Sequence, residues 1–102
     1  MDKNEIKKRI RFAIENSPYK EQINKASLFG SYSREEQTDE SDVDVILEID
    51  PASRFGFFKM AELQLILKNS IDKEVDLLTP QSISKFFRDE VLKKAETIYE
   101  RK

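Results

Sequence analysis

The chain has 102 residues, which is the length of one small domain. It contains no Cys and no His, and this composition excludes disulfides, thiolate nucleophiles, Cys or His zinc sites and the Ser-His-Asp triad. Its net charge of −2 argues against a nucleic-acid partner held mainly through phosphate contacts. No apolar run approaches the roughly 18 residues of a membrane-spanning helix, so we expect a soluble, cytoplasmic protein without a membrane partner.

The first part of the chain predicts a helix followed by a strand. Ile6, Ile10 and Ile14 recur at helical spacing, which predicts an amphipathic helix over residues 4–16. We expect the basic residues between them to form a solvated helix face rather than a nucleic-acid patch, because acidic residues outnumber basic ones in the chain. Residues 25–29 form an apolar run that stops at Gly30 and predicts a strand.

The middle of the chain predicts a second strand and a second helix. Residues 34–41 are polar and acidic and predict a loop or one short helix. In residues 42–49, Val43 and Val45 alternate with Asp42 and Asp44, which predicts a strand with one apolar and one acidic face. Apolar positions spaced three and four apart then predict an amphipathic helix over residues 56–70.

The last third predicts a third strand over residues 74–78, with Asp76 on the face opposite its apolar neighbours, and a helix start at Thr79-Pro80. An apolar stripe predicts a last helix, with a break near Lys93 as an alternative; the stripe consists of Ile83, Phe87, Val91, Ala95 and Ile98. This order of elements predicts an α/β (α+β) fold. We expect a small mixed β-sheet of three or more strands covered by helices, in a single domain spanning residues 1–102.

Three carboxylates carry the predicted chemistry. Asp42 and Asp44 are two residues apart on a strand, so their side chains point the same way and can converge on one cation. Two such carboxylates repel each other, and Mg²⁺ or Mn²⁺ would offset that repulsion with the oxygen ligands it prefers. If the third strand lies beside the second, Asp76 joins them in a cluster suited to two metal ions and phosphoryl or nucleotidyl transfer. A solvated acidic face is the alternative.

Gly30-Ser31 supplies groups that could contact an anion at the end of the first strand. A Gly there allows the backbone to approach a phosphate closely, and the following amides and the Ser31 hydroxyl can donate hydrogen bonds to its oxygens. By itself this dipeptide predicts little; its spacing from the acidic pair is what makes it informative.

Gly30-Ser31 followed after ten residues by Asp42-x-Asp44 resembles the signature of the DNA polymerase beta-like nucleotidyltransferase superfamily. Residues 28–47 are especially similar to its minimal nucleotidyltransferase (MNT) branch, whose members are about this length and serve as antitoxins of prokaryotic toxin–antitoxin pairs. The similarity continues through residues 74–80 and the closing Ile98-Tyr99-Glu100, so it covers essentially the whole chain. The resemblance implies the nucleotidyltransferase fold.

The resemblance also implies a role for each matching residue. Asp42 and Asp44 would be paired metal ligands, and Asp76 would complete the metal site and help to deprotonate the attacking hydroxyl. Gly30 and Ser31 would contact the nucleotide triphosphate.

The loop after Ser31 both matches the family and departs from it. Arg34 stands where the family usually has Arg and would contact phosphate or hold the loop, while an ion pair with Glu35 or Glu36 explains it equally well. Glu35 replaces a Gly that the family commonly has, and by the resemblance this change is expected to stiffen the loop and to place a carboxylate near the phosphates.

The resemblance implies a Mg²⁺-dependent nucleotidyltransferase that moves AMP from ATP to a hydroxyl, with two metal ions expected. The implied acceptor is a tyrosine of a toxin of the higher eukaryote and prokaryote nucleotide-binding (HEPN) family, an all-helical ribonuclease with which the chain would form a hetero-oligomer. The length leaves almost no room for an acceptor domain, which favours an acceptor on another protein. Two alternatives stay open: a non-catalytic antitoxin that binds its toxin directly, which Glu35 favours, and transfer to a small molecule or a tRNA end.

Overall fold

A computed structural model describes residues 1–30 and 42–101 and contains a four-stranded mixed sheet in these ranges. Its helices and strands, in chain order, are α1 (Lys3–Glu15), β1 (Ile23–Phe29), β2 (Val43–Ile49), α2 (Phe57–Ile71), β3 (Val75–Leu78), α3 (Arg88–Lys94) and β4 (Glu96–Glu100). Single turns of 3₁₀ helix precede β1 and follow β3, at Lys20–Gln22 and Pro80–Ser82. The predicted α+β class with a small mixed sheet is confirmed.

The strand order in the sheet is β3-β2-β1-β4. Of the two central strands, β1 runs antiparallel to both β2 and β4, whereas β2 runs parallel to β3 and is joined to it by α2. A parallel pair requires such a crossover, because the chain must return to the end of the sheet at which the first strand began before the second strand can start. The two parallel strands therefore begin at the same end of the sheet, and this end also receives the last residue of β1.

The hydrophobic core lies between the sheet and the helices α1 and α2, which pack against each other. The three Ile residues predicted for the first helix are all fully buried, as are Val43, Val45 and Leu47 on one face of β2. The helix α1 begins one residue before its predicted start, because the Asp2 carboxylate accepts a hydrogen bond from the Glu5 amide (2.8 Å) and caps it. Each of these fully buried side chains contributes about 1.5–3 kcal/mol.

The predicted last helix is wrong over most of its length. The helix α3 has seven residues, and residues 96–100 form the edge strand β4, in which Ile98 is 2% exposed. Phe87, a member of the predicted stripe, is 60% exposed. Thr97, Ile98 and Tyr99 are β-branched or aromatic, and pairing with β1 outweighs their helical spacing to the residues before them.

Ionic contacts attach both ends of β4 to the rest of the domain. The Glu96 carboxylate accepts a hydrogen bond from the Lys3 ammonium (2.9 Å), which lowers the pKa of Glu96, and Lys7 adds to the effect. At the other end, the Asp50 carboxylate accepts a hydrogen bond from the Ala52 amide and pairs with Arg101, and these contacts lower the pKa of Asp50.

These two carboxylates predict how stability depends on pH. A carboxyl group whose pKa is lower in the folded than in the unfolded state stabilises the fold at any pH above its unfolded-state pKa, which is about 4. This stabilisation is lost as the pH falls through the folded-state pKa. We therefore expect the melting temperature to fall below about pH 4.5, and to fall less steeply in Glu96→Gln than in the wild type. Thermal unfolding between pH 2.5 and 6 measures this, and equal slopes in both proteins contradict the contribution of Glu96.

In the described ranges, every helix is either too short or too polar to cross a bilayer.

Candidate active site

The sheet brings two of the predicted carboxylates together. Asp44 of β2 and Asp76 of β3 are direct partners in the parallel register, so their Cα atoms lie on neighbouring strands, about 4.8 Å apart in a regular sheet. Val43 and Val75, the residues before them, are also partners and are fully buried on the helix-covered face. Both Asp side chains therefore belong to the opposite face of the sheet.

Asp42 directly precedes β2 and is exposed. The amide of Val43 donates a hydrogen bond to the Glu74 carbonyl (2.9 Å), which fixes the start of β2 beside the start of β3. By the alternation of a strand, Asp42 shares the face of Asp44. The three carboxylates thus belong to one end and one face of the sheet, although no three acidic side chains in residues 1–30 and 42–101 are placed as a ready group of metal ligands.

Gly30 directly follows β1 and lies beside Asp44. The preceding residue, Phe29, is the register partner of Asp44, and Gly30 itself has φ +77°, a left-handed conformation that Gly adopts without strain. A Cβ at this position would overlap the Asp44 carboxylate. The sequence predicts a close approach of the backbone to a phosphate here, and the structure shows a second reason for Gly, namely the space that the Asp44 side chain occupies.

A buried apolar residue lies next to Asp44 on the same face of the sheet. Ile46 follows Asp44 on the same side of β2 and is fully buried, and its register partner Ser27 on β1 is 4% exposed. The Asp44 side chain is itself only partly exposed, whereas Asp76, next to it on the edge strand, is exposed. Asp44 therefore lies on a paired strand beside buried side chains, which suits a group that must keep its position.

Two of the predicted site residues, Ser31 and Arg34, lie outside the described residues, and so does Glu35. The contact between Gly30 and Asp44 was not predicted from the sequence. The only sign of this contact in the sequence is a Gly at the end of a predicted strand. The register that brings Gly30 beside Asp44 depends on pairing between distant segments, which the sequence pattern does not specify.

The family model described as Polymerase beta, Nucleotidyltransferase matches residues 8–102. The chain belongs to this nucleotidyltransferase family. The match includes both the Gly30 turn and the three carboxylates, so the residues that the sheet brings to one end lie within the family's own domain.

A curated relative of the nucleotidyltransferase has nearly the same length. A protein of Methanocaldococcus jannaschii named as a protein adenylyltransferase is 35% identical over 95 residues, which are 93% of this chain and 96% of the relative. The nucleotidyltransferase is therefore similar to this relative over nearly the whole length of both chains.

Solved structures share its fold. A minimal nucleotidyltransferase superposes with a TM-score of 0.75 at 24% identity over 93% of this chain and 94% of that one. A toxin–antitoxin structure with AMP-PNP gives 0.69 at 26% identity and covers all of this chain and 76% of that one. A chain in the structure of a tri-AMPylated HEPN toxin of Shewanella oneidensis in complex with MNT antitoxin superposes with a TM-score of 0.66 at 22% identity. The match covers 97% of this chain and 73% of that one.

Proposed function

We propose that the nucleotidyltransferase is the antitoxin of a toxin–antitoxin pair and transfers AMP from ATP to a tyrosine hydroxyl of a HEPN-family ribonuclease toxin. The observation that carries this proposal is the alignment of Asp44 with Asp76 beside Gly30 in a chain of this family. The name of the Methanocaldococcus relative supports a protein acceptor, and the toxin–antitoxin structures of the same fold support the kind of partner.

The donor set fits a magnesium ion. Asp42, Asp44 and Asp76 offer only carboxylate oxygens, the ligands that Mg²⁺ prefers, and two of them are opposed in register, where a divalent cation offsets their repulsion. When bound, such an ion neutralises charge that builds up on the triphosphate during transfer. Mn²⁺ has the same preference for oxygen and is expected to substitute.

The residues of the chain position the reactants and accept a proton. The acceptor oxygen forms a bond to the α-phosphorus of ATP, the bond between that phosphorus and the bridging oxygen to the β-phosphate breaks, and pyrophosphate leaves. Asp76 is exposed at the sheet edge, where an acceptor from another protein can reach it, and its carboxylate takes the hydroxyl proton. Gly30 and Ser31 hold the triphosphate, a role that the family resemblance supplies.

Coexpression with a HEPN-family toxin, followed by intact-mass measurement of the toxin, tests this function. We expect the toxin mass to increase by one AMP unit or a small multiple with the wild type, and to stay unchanged with Asp44→Asn. The matched control is Asp72→Asn, which removes an exposed carboxylate at φ 56°, a conformation that Asn also adopts readily.

The same experiment separates the alternatives. An unmodified toxin that is nevertheless inactive in the presence of the wild type contradicts AMP transfer and identifies a masking antitoxin. Incorporation of labelled AMP into a small molecule or a tRNA end, with an unmodified toxin, retains the nucleotidyltransferase reaction and rejects the proposed acceptor.

A further inference from the structure

The basic residues of α1 divide into two groups with different surroundings. Lys3, Lys7 and Arg11 are spaced four residues apart, so they form a basic row along the helix, beside the row of buried Ile residues. All three contact β4. Arg9 lies outside this row, and its half-exposed side chain pairs with Glu5 of the same helix (2.9 Å). The basic face that was predicted to be solvated is therefore solvated only in part.

The strand β4 lies at one edge of the sheet. It is last in the order β3-β2-β1-β4, so within residues 1–30 and 42–101 only one of its sides pairs with a strand. An edge strand carries unpaired N–H and C=O groups, to which a strand of another chain can add. Residues 26 and 27 of β1 pair with Tyr99 and Thr97, which makes Ile98 the extra residue of a bulge. The extra residue of a bulge is left out of the ladder, and its carbonyl is available to another donor.

The basic row supplies that donor. The Arg11 Nε donates a hydrogen bond to the Ile98 carbonyl (2.9 Å). Arg11 is exposed, so its guanidinium covers the carbonyl at the surface, whereas the Ile98 side chain is buried in the core. Lys3 and Lys7 hold α1 beside the start of β4, with their ammonium groups 2.9 and 3.5 Å from the Glu96 carboxylate. The row thus occupies an acceptor in the middle of β4 and fixes the helix that carries the donor.

A second copy of this chain could use the same edge. Two β4 strands can join antiparallel about a two-fold axis, so that one edge serves both chains. Ile98 is the middle residue of β4 and would then lie opposite itself. Opposite residues of a hydrogen-bonded pair exchange both of their N–H···O bonds, and Arg11 already occupies the carbonyl that this exchange requires. The same register places Glu96 opposite Glu100 of the second copy, and like charges directly opposite each other are destabilising.

We propose that Arg11 prevents two copies of the chain from pairing edge to edge through β4. Lys3 and Lys7 are positioning residues that hold α1 against Glu96, and the repulsion between Glu96 and Glu100 is a second barrier to the same pairing. The inference concerns the free chain without nucleotide, metal or toxin, so it stands or falls independently of the proposed function. It assigns a role to basic residues that the carboxylate site does not use.

Sedimentation velocity of the purified chain, without nucleotide or metal, tests this inference. Between about 10 μM and 1 mM, Arg11→Ala is expected to form dimers that dissociate on dilution, whereas the wild type stays monomeric. The matched control is Arg9→Ala, which removes a cation of the same helix that has no contact with β4 and is expected to stay monomeric. An Arg11→Ala variant that is monomeric over the whole range, or equal dimerisation of both variants, overturns the inference.

Replacing Glu100 separates the two barriers. Glu100→Gln alone is expected to stay monomeric, because Arg11 still covers the Ile98 carbonyl. The double variant Arg11→Ala/Glu100→Gln is expected to dimerise about tenfold more tightly than Arg11→Ala, because a symmetric dimer contains two Glu96–Glu100 pairs. Dimerisation of Glu100→Gln alone shows that Arg11 is not the barrier, and a monomeric double variant shows that copies do not pair through β4. Either result overturns the inference.

Two further measurements separate edge pairing from loss of the fold. If Arg11→Ala unfolds, Arg11→Met keeps an apolar stem and removes only the guanidinium, with Arg9→Met as its control. Amide hydrogen exchange then locates the interface. The amides of residues 96–100 are expected to exchange at least about tenfold more slowly in the dimer than in the monomer. Slower exchange confined to another segment overturns the assignment to β4.

Discussion

Replacing Asp44 by Asn is expected to lower AMP transfer by at least about 100-fold while leaving the fold intact. The side chain keeps its size, but the pair formed with Asp76 across β2 and β3 loses one charge, and with it the affinity for a divalent cation. Because one of two opposed carboxylates is removed, the melting temperature without metal is expected to stay equal or to rise slightly. Transfer assays with labelled ATP and thermal unfolding measure the two effects.

Magnesium gives a second measurement of the same change. A ligand that binds only the folded state at tenfold its dissociation constant stabilises it by about 1.4 kcal/mol, which is several degrees in the melting temperature of a domain of this size. We expect Mg²⁺ to produce this rise in the wild type and in Asp72→Asn, and none in the double variant Asp42→Asn/Asp44→Asn. An equal response of all three proteins to Mg²⁺ would contradict the assignment of Asp42 and Asp44 as metal ligands.

Replacing Gly30 by Ala is expected to damage both stability and transfer. An L-residue at φ +77° is strained by about 1–2 kcal/mol, and the new methyl group would overlap the Asp44 carboxylate and displace it. Because a displacement of about 1 Å at a reacting group can cost 100-fold in rate, we expect a loss of that order together with a lower melting temperature.

The other Gly of the chain provides the control. Gly56, which precedes α2, has φ −89°, and a Cβ there would meet nothing within 4 Å. Gly56→Ala is therefore expected to retain the transfer rate of the wild type, with a loss of stability of at most about 1 kcal/mol because Ala is a poorer helix N-cap than Gly. If Gly30→Ala transfers AMP at the wild-type rate, the close packing of Gly30 against Asp44 has no catalytic consequence.

Local patterns predicted the central strands and both long helices. The alternation in residues 42–49 predicted correctly that Val43 and Val45 face the core and that Asp44 faces away from it. The Ile spacing in residues 4–16 similarly predicted the buried stripe of α1. These predictions were correct because each pattern depends only on which side of one helix or strand is buried.

Long-range pairing explains what the sequence did not reveal. Residues 96–100 became a strand because the edge of β1 was available, and no local pattern records that edge. The register between Asp44 and Asp76 and the contact of Gly30 with Asp44 likewise depend on how separate segments align. The sequence could predict which carboxylates take part, but not which of them lie opposite each other.

The position of β4 has a consequence for how the protein is made. β1 is one of the two central strands, yet its second neighbour is synthesised only after β2, α2 and β3 have been completed. At about 5–20 residues per second, the nascent chain carries an open β1 edge for several seconds before residues 96–100 emerge. During this interval the open edge of β1 is a site at which other chains can pair with the unfinished sheet.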